Sequence, residues 1–209
     1  MRKPRLLFAA LVSVPLGAAI ALPAIAQAPG AETRVRVTGT VEKLDGDRLS
    51  VNTASGPTQI VKLAPDAAVY GVEKRRLGDI KPGDFVASGG VRGTDGKIRA
   101  VDVRIFPKMP SGFREGQLPW EVKPEGVMTN ATVGSVSQTS DGGIVHVTYK
   151  GGQSEFIVTP DVPVVAYVPA ERTLLKPGAA VITIATKQAD GGLQTGRVYA
   201  EKDGVKPPM

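Results

Sequence analysis

Four punctuation signals recur along this chain at a single spacing of 95 residues. Gly39-Thr40-Val41 returns as Gly134-Ser135-Val136, and Pro65-Asp66 returns as Pro160-Asp161. Lys81-Pro82-Gly83 returns as Lys176-Pro177-Gly178, and Asp95-Gly96 as Asp190-Gly191. Val86 and Val103 find Val181 and Val198 at the same offset. Matches held in one register are the signature of an internal repeat, which restricts the fold to two copies of one small unit.

Each unit reads as short strands. Val35, Val37 and Val41 alternate with polar residues before a turn at Asp45-Gly46-Asp47, and Leu49 and Val51 follow. Ile60 to Leu63 and a short stretch around Val69 continue the pattern. Lys81-Pro82-Gly83-Asp84 then turns the chain into Phe85 to Gly89, and Asp95-Gly96 makes a hairpin into Ile98 to Ile105. The second unit repeats this with turns at Asp141-Gly142-Gly143, Lys150-Gly151-Gly152 and Asp190-Gly191-Gly192. Period-two alternation broken by Asp-Gly turns predicts small all-β barrels or sandwiches. Closure into OB-like or SH3-like barrels would remove exposed strand edges. Leu77 to Ile80 and Thr173 to Leu175 each have room for one helical turn before the Lys-Pro-Gly bend.

The expected architecture is therefore all-β, with two tandem barrels over residues 29–105 and 131–203 and a short tail over 204–209. Residues 106–130 differ in composition: Phe106, Phe113, Trp120 and Met128 stand among Pro107, Pro110, Pro119 and Pro124. So many large apolar groups predict an ordered strap anchored by Trp120 rather than a loose linker.

Residues 1–28 read as a secretory leader. Arg2, Lys3 and Arg5 precede an apolar run from Leu6 to Leu22, and Ala26-Gln27-Ala28 offers a small-x-small cleavage pattern. Cleavage is expected after Ala28, with Ala26 as the alternative, which places the mature chain in the periplasm. No later stretch approaches the ~20 apolar residues that span a bilayer. The chain has no cysteine, which excludes disulfides, thiol chemistry and thiolate metal sites. Its formal charge of +6 includes the three basic leader residues, and the mild remainder argues against a nucleic-acid partner.

The pattern G-x-V, P-D, K-P-G-D-x-V and D-G-x-(I/V)-x-A-x-x-V resembles the bacterial "domain of unknown function 5666" group. In the first unit Gly39, Val41, Pro65, Asp66, Lys81 to Asp84, Val86, Asp95, Gly96, Ala100 and Val103 carry it. The second unit departs at Ala179 and Thr195. Pro119-Trp120-Glu121 followed by Met128-Thr129-Asn130-Ala131-Thr132-Val133 also looks like exported alphaproteobacterial proteins that often bear the label "metal ABC transporter permease". The resemblance implies a small β fold and has no established activity to carry over. A permease needs several spanning segments, and none follows the leader.

No catalytic constellation emerges, and no cofactor is expected. His146 is the sole histidine and lies in an alternating strand pattern, with its side chain opposite Val145 and Val147. One histidine without cysteine makes a poor metal site. The Asp45 and Asp141 turns lack calcium-loop spacing. Glu115, Glu121 and Glu125 alternate with Lys108, Arg114 and Lys123 and read as solvated surface rather than paired acid and base.

Charge differs between the units. Residues 34–105 carry 13 basic and 9 acidic side chains, whereas residues 131–203 carry 6 and 7. Lys74-Arg75-Arg76 stands where the second unit has Pro169-Ala170-Glu171. A basic segment acquired by one copy suits an acidic partner. Lys74, Arg75, Arg76 and Trp120 are thus the candidate partner-binding residues of a non-enzymatic periplasmic binding or adaptor module. The expected ligand is an envelope protein or an anionic glycan; the alternative is an accessory metal-handling protein associated with a transporter.

Overall fold

The computed structural model describes residues 33–54, 56–107, 114–120 and 122–208. The leader, the strap residues 108–113 and Glu121 lie outside the described residues. Among the described residues, strands supply every regular element except two single 3-10 turns. The strands are β1 (Arg34–Asp45), β2 (Arg48–Thr53), β3 (Gln59–Arg75), β4 (Phe85–Arg92), β5 (Ile98–Ala100), β6 (Val103–Phe106) and β7 (Gly116–Pro119). β8 (Gly126–Thr139), β9 (Gly142–Tyr149), β10 (Gly152–Val158), β11 (Val164–Ala170), β12 (Ala180–Lys187) and β13 (Leu193–Ala200) follow. No helix among the described residues is long and apolar enough to cross a membrane.

Five strands form a closed barrel. β1 pairs with β2, β2 with β3, β3 with β13, β13 with β12, and β12 returns to β1. A second ring of pairing runs β4, β5, β10, β9, β8 and back to β4. β6 links β4 to β11, and β11 lies antiparallel to the far end of β3, tying the rings together.

The arrangement is not tandem. The barrel takes three strands from the first half of the chain and two from the end of the second. The other ring takes β4 and β5 from the first half and β8, β9 and β10 from the second. The expectation of one self-contained barrel per half is corrected by this exchange, and the described chain forms one compact unit.

Several elements that lie 95 residues apart are alike in local structure. The 3-10 turns Leu77–Asp79 and Arg172–Leu174 match, as do β4 and β12. Val72 sits directly opposite Tyr167, its own counterpart, in the β3–β11 ladder. That pair marks an approximate two-fold relation between the rings. The Ser88 hydroxyl donates to the Asp102 carbonyl at 2.8 Å, and the Thr183 hydroxyl donates to the Arg197 carbonyl at 2.7 Å. Gly83 and Gly178 both stand at positive φ, 90° and 84°. Each follows a proline in a turn closed by an i to i+3 bond of 3.1 Å, the geometry that needs glycine.

One match shifts. Val41, whose sequence counterpart was Val136, exchanges hydrogen bonds with Gly178 and Ala179. The same exchange with Gly83 and Asp84 is made by Val133. The first strands therefore correspond at a spacing of 92, three residues short of the rest, and the paired G-x-V motifs do not superpose.

Both cores are rich in valine, as a narrow barrel filled by stiff β-branched side chains requires. In the first, Val37, Val41, Val51 and Val61 meet Val181 and Val198 from the far end of the chain. In the second, Val86 and Val103 meet Val133, Val145, Val147 and Phe156. Val72, Val165 and Tyr167 form a smaller buried cluster, with Tyr70, Phe106 and Tyr199 against it.

Candidate ligand-binding groove

A groove of about 400 Å³ opens along the seam between the rings. Arg34 and Arg36 on β1, with Ile182 and Ile184 on β12, form one wall. Phe85 and Ala87 on β4, Met128 and Asn130 on β8, and the strap residues Leu118 to Trp120 form the other. Phe106, Tyr167 and Tyr199 also line it, as do Arg104 and Arg114. Strand alternation brings the charges here. Arg34 and Arg36 flank the inward-pointing Val35 and Val37, so both guanidinium stems leave the barrel on its outer face.

The aromatic side chains form a contiguous series. Phe85 meets Phe106 edge-on at 6.1 Å, Phe106 meets Tyr167 at 5.0 Å, and Tyr167 meets Tyr199 at 4.1 Å. Tyr70 continues it at 5.7 Å from Tyr199, with the Arg197 guanidinium 5.7 Å from the Tyr70 ring. Burial raises the phenol pKa values of Tyr167 and Tyr199, so both are neutral hydroxyls near neutral pH.

Beneath this surface, Asp102 and Arg104 form a buried ion pair on β6 and the residue before it. The Gly89 amide donates to Asp102 Oδ1 at 3.1 Å. A buried pair is tolerable only with such additional hydrogen bonds. Arg36, although exposed over much of its length, has a lowered pKa. Loss of water around its head is the larger cause, and the Arg104 charge is the next. Arg36 and Arg104 are close enough to repel, Asp102 offsets part of that charge, and the field beside Arg36 still suits an anion.

Trp120 is buried, at 6% exposure. Its amide donates to the Gly126 carbonyl at 2.9 Å, closing the turn between β7 and β8. The indole lies on Gly89, where an added Cβ would come within 2.7 Å of two ring carbons. Gly89→Ala should therefore displace the indole and cost about 1–3 kcal/mol, as overpacking does. Red-shifted tryptophan emission together with a lowered urea midpoint would establish it; an unchanged spectrum would show that the ring is not held there.

The other candidates lie elsewhere. Lys74 and Arg75 end β3 and Arg76 precedes the 3-10 turn, so the segment is a strand end rather than an open loop. Arg75 is bound to Glu73 at 2.6 Å, and Glu73 also accepts from Lys202 at 2.8 Å. Lys74 and Arg76 are exposed, and none of the three lines the groove. His146 pairs with Glu155 across β9 and β10 at 3.2 Å. Glu115 accepts from the Lys150 amide at 3.1 Å. Among the described residues no three His, Asp or Glu side chains are grouped as a metal ion requires.

Sequence reading missed the groove arginines. Their signal was the alternation Arg34-Val35-Arg36-Val37 and Asp102-Val103-Arg104-Ile105, which phases charge onto one strand face. In comparisons with family models, curated proteins and solved structures, nothing matches the chain.

Proposed function

We propose that this protein is a non-enzymatic binding or adaptor module of the bacterial envelope, holding an anionic ligand in the groove along the seam. The carrying observation is the composition of that groove. Four arginines line it, no acidic side chain does among the described residues, and aromatic rings supply apolar contact beside them. Arginine beside an aromatic surface suits an acidic protein segment or an anionic glycan. Export after Ala28, kinship with OB-like or SH3-like barrels and with the 5666 group, and origin by duplication belong to the same proposal. Lys74 and Arg76 supply a second basic surface outside the groove, and Trp120 anchors the strap that forms one wall.

Trp120 is the only tryptophan, so its emission reports on the groove directly. Titration with a sulfated oligosaccharide and with an acidic peptide should change that emission, and the effect should weaken as salt screens the charges. Arg36→Glu should lower the affinity about tenfold or more, since it replaces attraction by repulsion. The pair Lys74→Glu and Arg76→Glu should leave it nearly intact. Loss in that pair but not in Arg36→Glu would move the site to the strand end. Absence of any response to either probe, by emission or by calorimetry, would end the proposal.

A further inference from the structure

Two corresponding strand edges in this chain are covered differently. Val133 on β8 faces β4, exchanging bonds of 2.8 Å with Gly83 and Asp84; Val41 on β1 faces the start of β12 in the same way, at 2.8 and 2.9 Å. Counting back from these valines, Met128 and Asn130 correspond to Arg36 and Thr38. In an antiparallel ladder, alternate residues turn their amide and carbonyl groups to opposite neighbours. Met128 and Asn130 therefore face away from β4, and β7 pairs with them there, Leu118 opposite Met128 and Gly116 opposite Asn130. Arg36 and Thr38 turn outward in the same phase. Among the described residues no strand pairs with Arg36 on that side; β2 comes up as far as Gly39, beside Thr38.

Two further observations mark this edge. Gly89, opposite Met128, is covered by the Trp120 ring that follows β7. Its counterpart opposite Arg36 is Ile184, one of the few large apolar side chains left exposed, at 41%. The Thr38 hydroxyl is buried and has no hydrogen-bond partner among the described residues. An uncovered edge is a template for strand addition, and an apolar pocket beside it supplies specificity.

We infer that the groove's ligand is an extended acidic segment of a partner protein, which adds to β1 as an antiparallel strand just as β7 adds to β8. This inference rests on the anionic-groove reading and narrows it to a polypeptide. Carboxylates at alternate positions would lie beside Arg36 on the groove face. An aromatic residue two positions further on would cover Ile184 in the way Trp120 covers Gly89.

The test uses the purified protein and the fluorescein-labelled peptide Ser-Glu-Thr-Glu-Thr-Trp-Gly, which copies the spacing of Gly116 to Trp120. One version is N-methylated on both glutamates, whose amides would face β1. Another is N-methylated on both threonines, whose amides would face away. Anisotropy should show the first binding about tenfold or more weakly than the parent, through loss of ladder bonding to β1, and the second binding nearly as well as the parent. Equal binding of the two methylated forms, abolished by Arg36→Glu, would overturn strand addition while leaving the anionic groove standing. Binding of the sulfated oligosaccharide with none of the peptides would do the same. If no anionic probe binds, the groove reading falls and strand addition falls with it.

Discussion

Expressed separately, residues 33–107 and 114–209 should each be largely unfolded, and mixing them should restore the fold. The reason is the exchange of strands. The first fragment holds β1, β2 and β3 but lacks β12 and β13, which close the barrel. Val181 and Val198 are fully or almost fully buried in that core. Their loss alone removes about 3–6 kcal/mol of apolar burial, before the newly exposed faces of Val37, Val41 and Val69 are counted. A small domain's whole stability is only about 5–15 kcal/mol. The second fragment fails for the mirror reason, since β8 and β10 lose β4 and β5. Circular dichroism and denaturant melts of each fragment and of the equimolar mixture would decide it. A cooperative transition in either fragment alone would mean that one half closes on itself.

That exchange could not be read from the sequence, because the two halves carry the same local pattern. Val86 and Val181 present the same small apolar side chain at the same point of the same pattern. Either could complete the wall beside β1, and local alternation does not choose between them. What chooses is the path of the chain between. Ile60 to Leu63 and the stretch around Val69 were expected as separate strands, yet they form one strand of 17 residues, Gln59–Arg75. At ~3.3 Å per residue such a strand is too long to stay within one small barrel. Its first part walls the barrel beside β2, and its last part, Val69 to Arg75, pairs with β11 at the seam. The chain thus reaches the seam between the rings before β4 begins. The second half breaks at the matching place, into β10 and β11.

The turns were legible because their chemistry is local. Lys81-Pro82-Gly83 and Lys176-Pro177-Gly178 bend where proline and glycine dihedrals oblige them to, whatever the partners. Both 3-10 turns fall at the expected places, between a strand end and a Lys-Pro-Gly bend. The basic triplet was read correctly as charge and incompletely as geometry. Arg75 is taken up by Glu73, a neighbour two residues away on the same strand face. The groove was hidden for a different reason: its walls come from β1, β4, β8 and β12, and only the exchanged pairing brings them together. Arg36 and Arg104 are 68 residues apart in the chain, with no motif linking them.

Asp102→Ala should be among the most damaging single substitutions in the chain, lowering stability by about 3–5 kcal/mol. Asp102 is 2% exposed and Arg104 8%, so the substitution withdraws a carboxylate from a guanidinium that water hardly reaches. It also removes the acceptor of the buried Gly89 amide, on which the Trp120 ring rests. Asp102→Asn separates the two effects. Its side-chain oxygen can still accept from Gly89, so the expected loss is smaller, about 1–3 kcal/mol. In compensation the groove gains one unit of positive charge, and an anionic probe should bind Asp102→Asn more tightly than the parent at low salt. Combining Asp102→Ala with Arg104→Met should recover part of the stability, because the buried charge leaves together with its partner. Urea melts of the four proteins would show the order parent, Asp102→Asn, double variant and Asp102→Ala if burial of the guanidinium dominates. A single Asp102→Ala variant within about 1 kcal/mol of the parent would mean that water or another group compensates Arg104 without Asp102. The Arg104 charge would then be offset at the floor of the groove, and the positive field acting on a ligand would be correspondingly weak.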